Sequence, residues 1–394
     1  MLHILTSHIA SLKRYLFSLK LFLGFTIALF FSSCVQSEPA PDLFSLPTIY
    51  KVGKKPDELR ARDMNLDGFP DILVSNAGSN TLSYFEAIGD GTFKSPFTMN
   101  TGREPLAFEV GDFNGDNIPD IAVSNYGDGN VSIIIGQKDG VFKKTITVKV
   151  GRLPIAISVG DFNNDEKLDL AITLRFDKLV ILLGIGDGNF KMGEVYNAAG
   201  TPAYMTVGDF DNDKNLDIAI AFNGIHVNFI RLFHGNGDGT FKVPVKVLGG
   251  KQSAFITQYD INNDGRDDLI TSSTMNDAIK IFLNTSGGNG FISLEDAAAE
   301  KGPEYIVPGD FTGDNFPDLA VANKRDGSIS ILEGRGDGTF IFPHFNYPVG
   351  SNARAMVGED FNDDGLTDLA LLIYDKQMLA IILRKSSIPD QIDF

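Results

Sequence analysis

The 394-residue sequence has a single cysteine, no tryptophan and five histidines. One cysteine cannot form an internal disulfide, so no such crosslink stabilises the fold. The histidines, His3, His8, His226, His234 and His344, occupy unrelated positions, and no nucleophile motif or glycine-rich phosphate loop accompanies them. The sequence therefore does not indicate an enzyme, although a polysaccharide lyase or hydrolase site assembled on one face stays open as an alternative.

Long apolar runs and basic residues are also scarce. The longest apolar run, Leu21 to Phe31, is too short to span a bilayer. The chain has 34 Lys and Arg against 51 Asp and Glu, for a net charge of −17. Phosphate contacts need basic side chains, so nucleic-acid binding is not expected.

A short acidic run, D-x-[N/D/T]-x-D-x-x-x-D, occurs seven times at intervals of 48 to 51 residues. One supersecondary unit is therefore repeated along the chain. Each run offers carboxylates at positions 1, 5 and 9 and an oxygen-bearing side chain at position 3, a donor set that suits Ca²⁺. The predicted ligands are Asp63, Asn65, Asp67, Asp71; Asp112, Asn114, Asp116, Asp120; Asp161, Asn163, Asp165, Asp169; Asp209, Asp211, Asp213, Asp217; Asp260, Asn262, Asp264, Asp268; Asp310, Thr312, Asp314, Asp318; and Asp360, Asn362, Asp364, Asp368.

The metal prediction agrees with the charge balance. Residues 1–33 carry three basic residues and no acid, so the remainder is at −20. Seven Ca²⁺ ions would reduce this to about −6, an ordinary value for a soluble domain. Position 12 holds Val74 and Val123 rather than the Glu of an EF-hand, so the loops join strands.

The seven loops are not equivalent at position 6, which needs a left-handed backbone. Gly68, Gly265 and Gly365 accept that conformation freely, and Asn117 and Asn315 tolerate it. Glu166 and Lys214 occupy the same position in the third and fourth loops, at a cost of roughly 1 kcal/mol each. The Asp161 and Asp209 loops are therefore expected to bind Ca²⁺ least tightly.

Strand patterns surround each loop. Apolar runs precede and follow it, and a third run comes after a turn. In four repeats Gly-Asp-Gly-x-Phe, at 89–93, 186–190, 237–241 and 336–340, then leads to an edge strand such as 242–247. Four strands per repeat predict an all-β fold, a seven-bladed β-propeller of four-stranded antiparallel blades. The seventh repeat lacks its fourth strand, and the segment from Phe44 to Gly53 resembles one. We therefore expect the N-terminal segment to complete the last blade and close the ring.

The run Asp112-Phe113-Asn114-Gly115-Asp116 with Asp120, followed by Ile121-Ala122-Val123 and later by Gly-Asp-Gly-Thr-Phe, resembles the FG-GAP or VCBS repeat of bacterial surface proteins. It is also similar to the repeat of the integrin α-subunit N-terminal propeller. The resemblance implies a seven-bladed propeller with Ca²⁺ in the loops between first and second strands. Thr312, Lys214, Glu166 and the irregular stretch 286–300 depart from the pattern.

The N-terminal segment has the features of a lipoprotein signal. Three basic residues precede the apolar run, and Ser32-Ser33-Cys34 follows it directly, as in a bacterial lipobox. We predict a signal peptide over 1–33, a lipidated Cys34 with a tether over 34–43, and the propeller over 44–394. The protein is then exported and anchored by lipid to a bacterial membrane, at the outer membrane and cell surface or on the periplasmic face.

The leading functional hypothesis is a Ca²⁺-stabilised scaffold for binding or adhesion, expected to be monomeric. Its partner is an extracellular or periplasmic protein or glycan, and a lectin-like carbohydrate-binding propeller is the alternative. The connections opposite the acidic loops gather basic and aromatic residues that form a docking surface for an acidic or sugar-bearing partner. The residues predicted for this surface are Arg103, Tyr126, Arg152, Phe176, Lys324, Arg325, Arg354 and Tyr374.

Overall fold

A computed structural model describes residues 42–224, 227–251, 253–285, 290–350 and 352–385. The predicted signal segment and Cys34 lie outside these residues, as do 286–289 of the irregular stretch. The described chain is all-β, and its helical content is limited to two 3₁₀ turns, Lys138–Gly140 and Tyr374–Lys376. The predicted fold class is confirmed.

The strands form seven antiparallel sheets, numbered here as blades 1 to 7 in the order of their acidic loops. The first strands are Pro56–Arg62, Pro105–Gly111, Pro154–Gly160, Pro202–Gly208, Ser253–Tyr259, Pro303–Gly309 and Ala353–Glu359. The second strands are Asp71–Asn76, Asp120–Asn125, Asp169–Leu174, Asp217–Phe222, Asp268–Ser273, Asp318–Asn323 and Asp368–Ile373. The third strands are Thr81–Phe85, Asn130–Gln137, Lys178–Gly184, Asn228–Phe233, Ala278–Asn284, Ser328–Leu332 and Met378–Ile382. The fourth strands are Phe97–Asn100, Val141–Lys149, Phe190–Asn197, Val245–Lys251, Phe291–Ser293 with Ala297–Ala298, Phe345–Pro348 and, for blade 7, Thr48–Lys51.

The blades are arranged in a closed ring. The first strand of each blade contacts the first strands of both neighbours, and blade 7 contacts blade 1 in the same way. Thr48 pairs with Ile381 and Lys51 with Met378, so the N-terminal strand supplies the outer strand of blade 7. Phe44 adds an isolated bridge to Arg384. The predicted closure is confirmed, and it covers a strand edge that would otherwise be open.

The second strands form the most buried layer of each blade. All six residues of every second strand are buried, which explains why their sequences are nearly continuous apolar runs. A strand that packs against neighbouring blades on both faces cannot alternate between apolar and polar residues. The core therefore lies between blades.

Where a blade has the Gly-Asp-Gly-x-Phe turn, this turn packs against the acidic loop of the preceding blade. Phe113 from the loop of blade 2 lies 5.8 Å from Phe190 of blade 3, and Phe361 of blade 7 lies 5.7 Å from Phe93 of blade 1 (ring centroids). In the same pairs the N–H of Gly188 donates to the Phe113 carbonyl, and that of Gly91 to the Phe361 carbonyl. Loops and turns therefore share one face of the ring.

Two outer strands differ from the sequence prediction. In blade 4 the strand begins at Val245 rather than Lys242, because Pro244 has no N–H to donate and Val243 is 88% exposed. In blade 5 the outer strand is divided into Phe291–Ser293 and Ala297–Ala298, which pair with separate parts of the third strand. Among the residues that the structure describes in this repeat, the irregularity lies at the outer edge of the blade.

Candidate metal centre

The seven acidic loops share one hydrogen-bond pattern that begins at position 1. In every loop this aspartate accepts a hydrogen bond from the backbone N–H of position 6, over 2.7–3.0 Å. In six loops it also accepts one from position 5, over 2.9–3.1 Å. In the sixth loop Asp310 accepts from Gly313 instead, at 2.6 Å. The position 1 carboxylate therefore sets the curvature of its loop.

This curvature requires a left-handed backbone at two positions. Position 6 has positive φ in all seven loops, including Glu166 at 64° and Lys214 at 71°, as the sequence predicted. Position 4 is left-handed as well, and there Leu66 at 62° is the most unusual residue. The sequence analysis overlooked position 4, although Gly or Asn occupies it in five of the seven loops.

The aspartate at position 9 is a buried structural link beneath each loop. All seven are fully buried. One oxygen accepts from the N–H of position 2 over 2.8–3.1 Å. The other accepts from a backbone N–H near the C-terminal end of the third strand, in its last residues or within two residues after it, over 2.6–2.8 Å. Position 9 thus connects the loop to its own blade, a role that the sequence did not reveal.

Burial makes the ionised form of these carboxylates costly. It raises the pKa of Asp71, Asp120, Asp169, Asp268 and Asp368 to about 6, although the backbone hydrogen bonds act in the opposite direction. A divalent cation in the loop would favour the ionised form and offset this cost. The buried carboxylates therefore fit a bound cation.

Position 5 is exposed in every loop and lies beside position 3, which is partly buried. Asn65, Asn262 and Asn362 donate from Nδ2 to the carboxylate at position 5, over 2.9–3.2 Å. The position 5 carboxylate also accepts from the N–H of position 7 in every loop, over 2.8–3.1 Å. Carboxylate and amide oxygens from positions 1, 3, 5 and 9 are the donors that Ca²⁺ prefers. Those four positions would hold the ion.

The fourth loop contains the tightest acidic grouping. Among the described residues, two groups of three acidic or histidine side chains place ligand atoms within 4.8 Å of one another: Asp209, Asp211 and Asp213; and Asp211, Asp217 and His234. The sequence ranked this loop among the weakest because of Lys214. The structure instead concentrates carboxylates there, since position 3 is an aspartate only in this copy.

Cationic side chains contact the carboxylates of the third to fifth loops. Lys242 Nζ lies 3.3 Å from Asp211 Oδ2 and 3.2 Å from Asp213 Oδ2. Lys167 pairs with Asp165 at 3.2 Å, and Arg266 pairs with Asp264. The side-chain hydrogen bond to Asp217 raises the pKa of His234. These contacts show that the loops attract positive charge.

The predicted partner residues lie on the face opposite the acidic loops. On this face, the connections between second and third strands are joined to the segments that lead into the first strands. The N–H of Tyr126 donates to the Glu104 carbonyl, and that of Tyr374 donates to the Asn352 carbonyl. Most of the bases are paired with acids that the sequence analysis did not weigh. The pairs are Arg103 with Asp128, Lys324 with Glu304, Arg325 with Asp277 and Arg354 with Asp57, and Arg354 also lies 5.0 Å from the Tyr374 ring centroid.

Blades 2 and 3 carry a different surface, which we call the Arg152 patch. It consists of Tyr126, Arg152, Arg175 and Phe176. Arg152 is exposed, Phe176 is 60% exposed, and Arg175 donates to the Tyr126 hydroxyl. The patch combines exposed aromatic and cationic groups, which is the combination that the sequence predicted for a docking surface.

The first strands hold a polar cluster that the sequence analysis missed. Glu58 accepts hydrogen bonds from Arg60, Tyr204 and Tyr305, and Arg60 also pairs with Glu109 at 3.0 Å. The Tyr204 and Tyr305 hydroxyls are 2.7 Å apart. These residues come from blades 1, 2, 4 and 6, so no repeat-based comparison places them together. Burial raises the pKa of both tyrosines, and the cluster connects blades across the ring axis.

Two cavities of about 340 Å³ adjoin this cluster. One lies toward the acidic-loop ends of the first strands and includes Ser158, Thr206 and Thr257. The other lies toward the opposite ends and includes Asp57 and Arg354. Tyr204, Phe255 and Tyr305 line both, so the aromatic side chains separate the two spaces.

A family profile described as FG-GAP-like repeat matches six overlapping segments, 63–123, 112–172, 161–220, 209–271, 260–321 and 310–371. Each begins at the first aspartate of an acidic loop and ends in the next blade. The chain belongs to the FG-GAP-like repeat family. The membership agrees with the resemblance stated from the sequence and covers most of the propeller.

Solved structures also share the fold of this FG-GAP-like protein. BBS1N, crystallised in complex with ARL6DN and soaked with lead, matches with a TM-score of 0.61 and 12% identity over 88% of this chain and 97% of that chain. Hydrazine synthase from Kuenenia stuttgartiensis matches with a TM-score of 0.60 and 13% identity, over 90% and 99%. At these identities the likeness concerns the fold alone.

Within the ranges that the structure describes, no helix has the length and apolar character needed to cross a bilayer.

Proposed function

We propose that this FG-GAP-like propeller is an exported, lipid-anchored scaffold that Ca²⁺ stabilises and that binds a partner protein or glycan. The observation that supports it most is the equivalence of the seven loops. In each, the position 1 carboxylate accepts the backbone N–H of position 6, and the aspartate at position 9 is buried. A feature preserved in seven loops on one face fits a common ligand better than seven unrelated turns.

Calcium has a structural role in this proposal. The position 9 carboxylate links each loop to its blade, and a cation above it would stabilise the charged form that burial disfavours. Because an ion binds the folded loops and hardly the unfolded chain, occupancy would add directly to the free energy of unfolding. The acidic face would then be a rigid base rather than the surface that a partner recognises.

The Arg152 patch is our proposed partner surface. It lies opposite the acidic loops, and its aromatic and arginine side chains are residue types enriched where partners bind most strongly. The other predicted bases are ion-paired with acids on the same face, which makes them poorer contacts for an acidic or sugar-bearing ligand. No catalytic role is part of the proposal.

A pull-down from intact cells tests this surface. Arg152→Glu combined with Phe176→Ala should abolish capture of a partner that the wild-type protein retains. Arg103→Ala is the matched control. It removes a base on the same face that is paired with Asp128, so it should leave capture unchanged. Equal capture by all three proteins would contradict the assignment of the surface.

The proposed anchor is tested separately. Metabolic labelling with a palmitate analogue should label the wild-type protein and place it in the membrane fraction. Cys34→Ser should remove both the label and the membrane association. An unlabelled wild-type protein would exclude lipidation at Cys34.

A further inference from the structure

Blade 4 departs from the repeat at two places that are close together in space. Position 3 of its acidic loop is Asp211, where the other loops have Asn or Thr. The residue just after its third strand is His234, where the other blades have Glu86, Ile135, Leu183, Leu283, Glu333 or Leu383. Either change alone would be an ordinary variation. Their coincidence in one blade places an imidazole beside an additional carboxylate.

The two substituted side chains meet at the buried aspartate of position 9. His234 Nδ1 lies 3.0 Å from Asp217 Oδ2 and 3.3 Å from Asp211 Oδ2. Asp217 is fully buried, and the side chains of His234 and Asp211 are 16% and 15% exposed. The site is therefore sheltered, and its three ligand atoms point to one region.

These separations suit a shared metal ion. Donors that bind one ion at ~2.1 Å lie roughly 3.0–3.4 Å apart at octahedral or tetrahedral angles. The observed 3.0 and 3.3 Å fall within that range. Asp211 has a further donor, because its Oδ1 is shielded from solvent and has no hydrogen-bond partner among the described residues. An ion could thus enter with little movement of the protein.

The ligand types decide which ion fits. Ca²⁺ is bound by oxygen, as the other six loops offer, whereas imidazole suits Zn²⁺ and neighbouring transition metals. One imidazole with two carboxylates, and space for water, is a donor set found at transition-metal sites.

We infer that Asp211, Asp217 and His234 form a binding site for a divalent transition-metal ion, of which Zn²⁺ is the probe chosen here. This inference goes beyond the proposed calcium loops, because it concerns a different class of ion and one blade. Lys242, whose side chain is 45% exposed, can leave Asp211 for solvent when the ion binds. The fourth loop then differs from its neighbours in ion preference rather than in affinity for Ca²⁺.

The test is calorimetric titration of ZnCl₂ into the full-length protein, first stripped with chelator and then saturated with Ca²⁺. The wild-type protein should bind one Zn²⁺ per chain that excess Ca²⁺ does not displace. His234→Asn should weaken this binding by ~10-fold or more, since it removes the imidazole. His344→Asn, at a similarly buried histidine near Glu300, should leave it unchanged.

A second variant distinguishes the loss of a metal ligand from the loss of the fold. Asp211→Asn restores the residue found at position 3 in most loops, so it should fold normally and still weaken Zn²⁺ binding. Visible absorption of the Co²⁺-loaded protein should show ligand-field bands that His234→Asn removes. The inference is overturned if the wild-type protein binds no Zn²⁺ in Ca²⁺ buffer, or if either blade 4 variant binds it as tightly as wild type. Ca²⁺ binding by the other six loops is measured separately, so the two proposals can fail independently.

Discussion

Removal of divalent ions should make the stability of this propeller fall as the pH rises from about 4 to 6. Burial raises the pKa of five position 9 aspartates from 3.8 to about 6, so the folded chain holds these protons to a higher pH than the unfolded chain. When the folded state binds more protons, the free energy of unfolding decreases with increasing pH. This is the reverse of the usual behaviour of ion-paired carboxylates.

The magnitude follows from the size of the shift. A change from 3.8 to about 6 is about two pKa units, and each unit corresponds to ~1.4 kcal/mol, so one aspartate contributes up to ~3 kcal/mol. Five such groups could together contribute ~10 kcal/mol or more, which is comparable with the whole stability of a domain. The chain without metal should therefore be less stable at neutral pH than near pH 4.5.

Thermal melts in EDTA at several pH values between 4.5 and 7 provide the assay. Carboxylates with lowered pKa, such as Asp90 and Asp128, titrate below 3.8 and do not interfere in this range. Asp120→Asn removes one titrating group while preserving its shape, and it should reduce the pH slope, to which Asp57 and Asp318, whose pKa burial also raises, contribute beside the five aspartates. A melting temperature in EDTA that is constant or rises over this range would refute the reasoning, as would an unaltered slope in Asp120→Asn.

Two further predictions concern closure and loop strain. A protein that begins at residue 54 lacks the strand Thr48–Lys51 and exposes the edge of Met378–Ile382; it should oligomerise on size-exclusion chromatography, whereas a protein that begins at residue 42 should remain monomeric. A monomeric, equally stable truncated protein would show that the N-terminal strand does not close the ring. Glu166→Gly relieves a side chain held at φ 64° and should raise the free energy of unfolding by ~0.5–1 kcal/mol in chemical denaturation, while Glu194→Gly in an exposed outer strand should lower it. Equal effects of the two substitutions would contradict the strain at position 6.

The features that repeat could be predicted from the sequence, because one pattern was observed seven times. The acidic loops and the left-handed position 6 follow from the fixed spacing of seven copies, and the Gly-Asp-Gly-x-Phe turns from four. The closure by the N-terminal strand was predicted because the segment from Phe44 resembles the other outer strands. The structure adds the reason for the glycine in the turn, whose N–H donates to the loop of the preceding blade, as Gly188 does to Phe113.

The features that do not repeat were not predictable in the same way. Glu58, Arg60, Glu109, Tyr204 and Tyr305 come from four blades and meet only when the ring closes. A signal was nevertheless present, since Glu58, Tyr204 and Tyr305 occupy a first-strand position where three other blades have alanine.

The pairing of charges on the face opposite the acidic loops was also not predicted from the sequence. Counting the bases of this face indicated a basic surface, but Asp128 and Asp277 on the connections and Asp57 and Glu304 at the starts of first strands neutralise several of them. Which charges pair depends on how neighbouring connections are placed around the ring. The spacing of charges along one chain segment does not contain that information.

Calcium binding by the acidic loops is the central claim, and titration of CaCl₂ into protein stripped of metal tests it most directly. We expect saturable binding of up to seven ions per chain, together with a melting temperature that rises with Ca²⁺ concentration. At a free concentration 100 times the dissociation constant, each occupied site should add ~2.7 kcal/mol to the free energy of unfolding. Absence of saturable heat, with identical melting in Ca²⁺ and in EDTA, would contradict the claim.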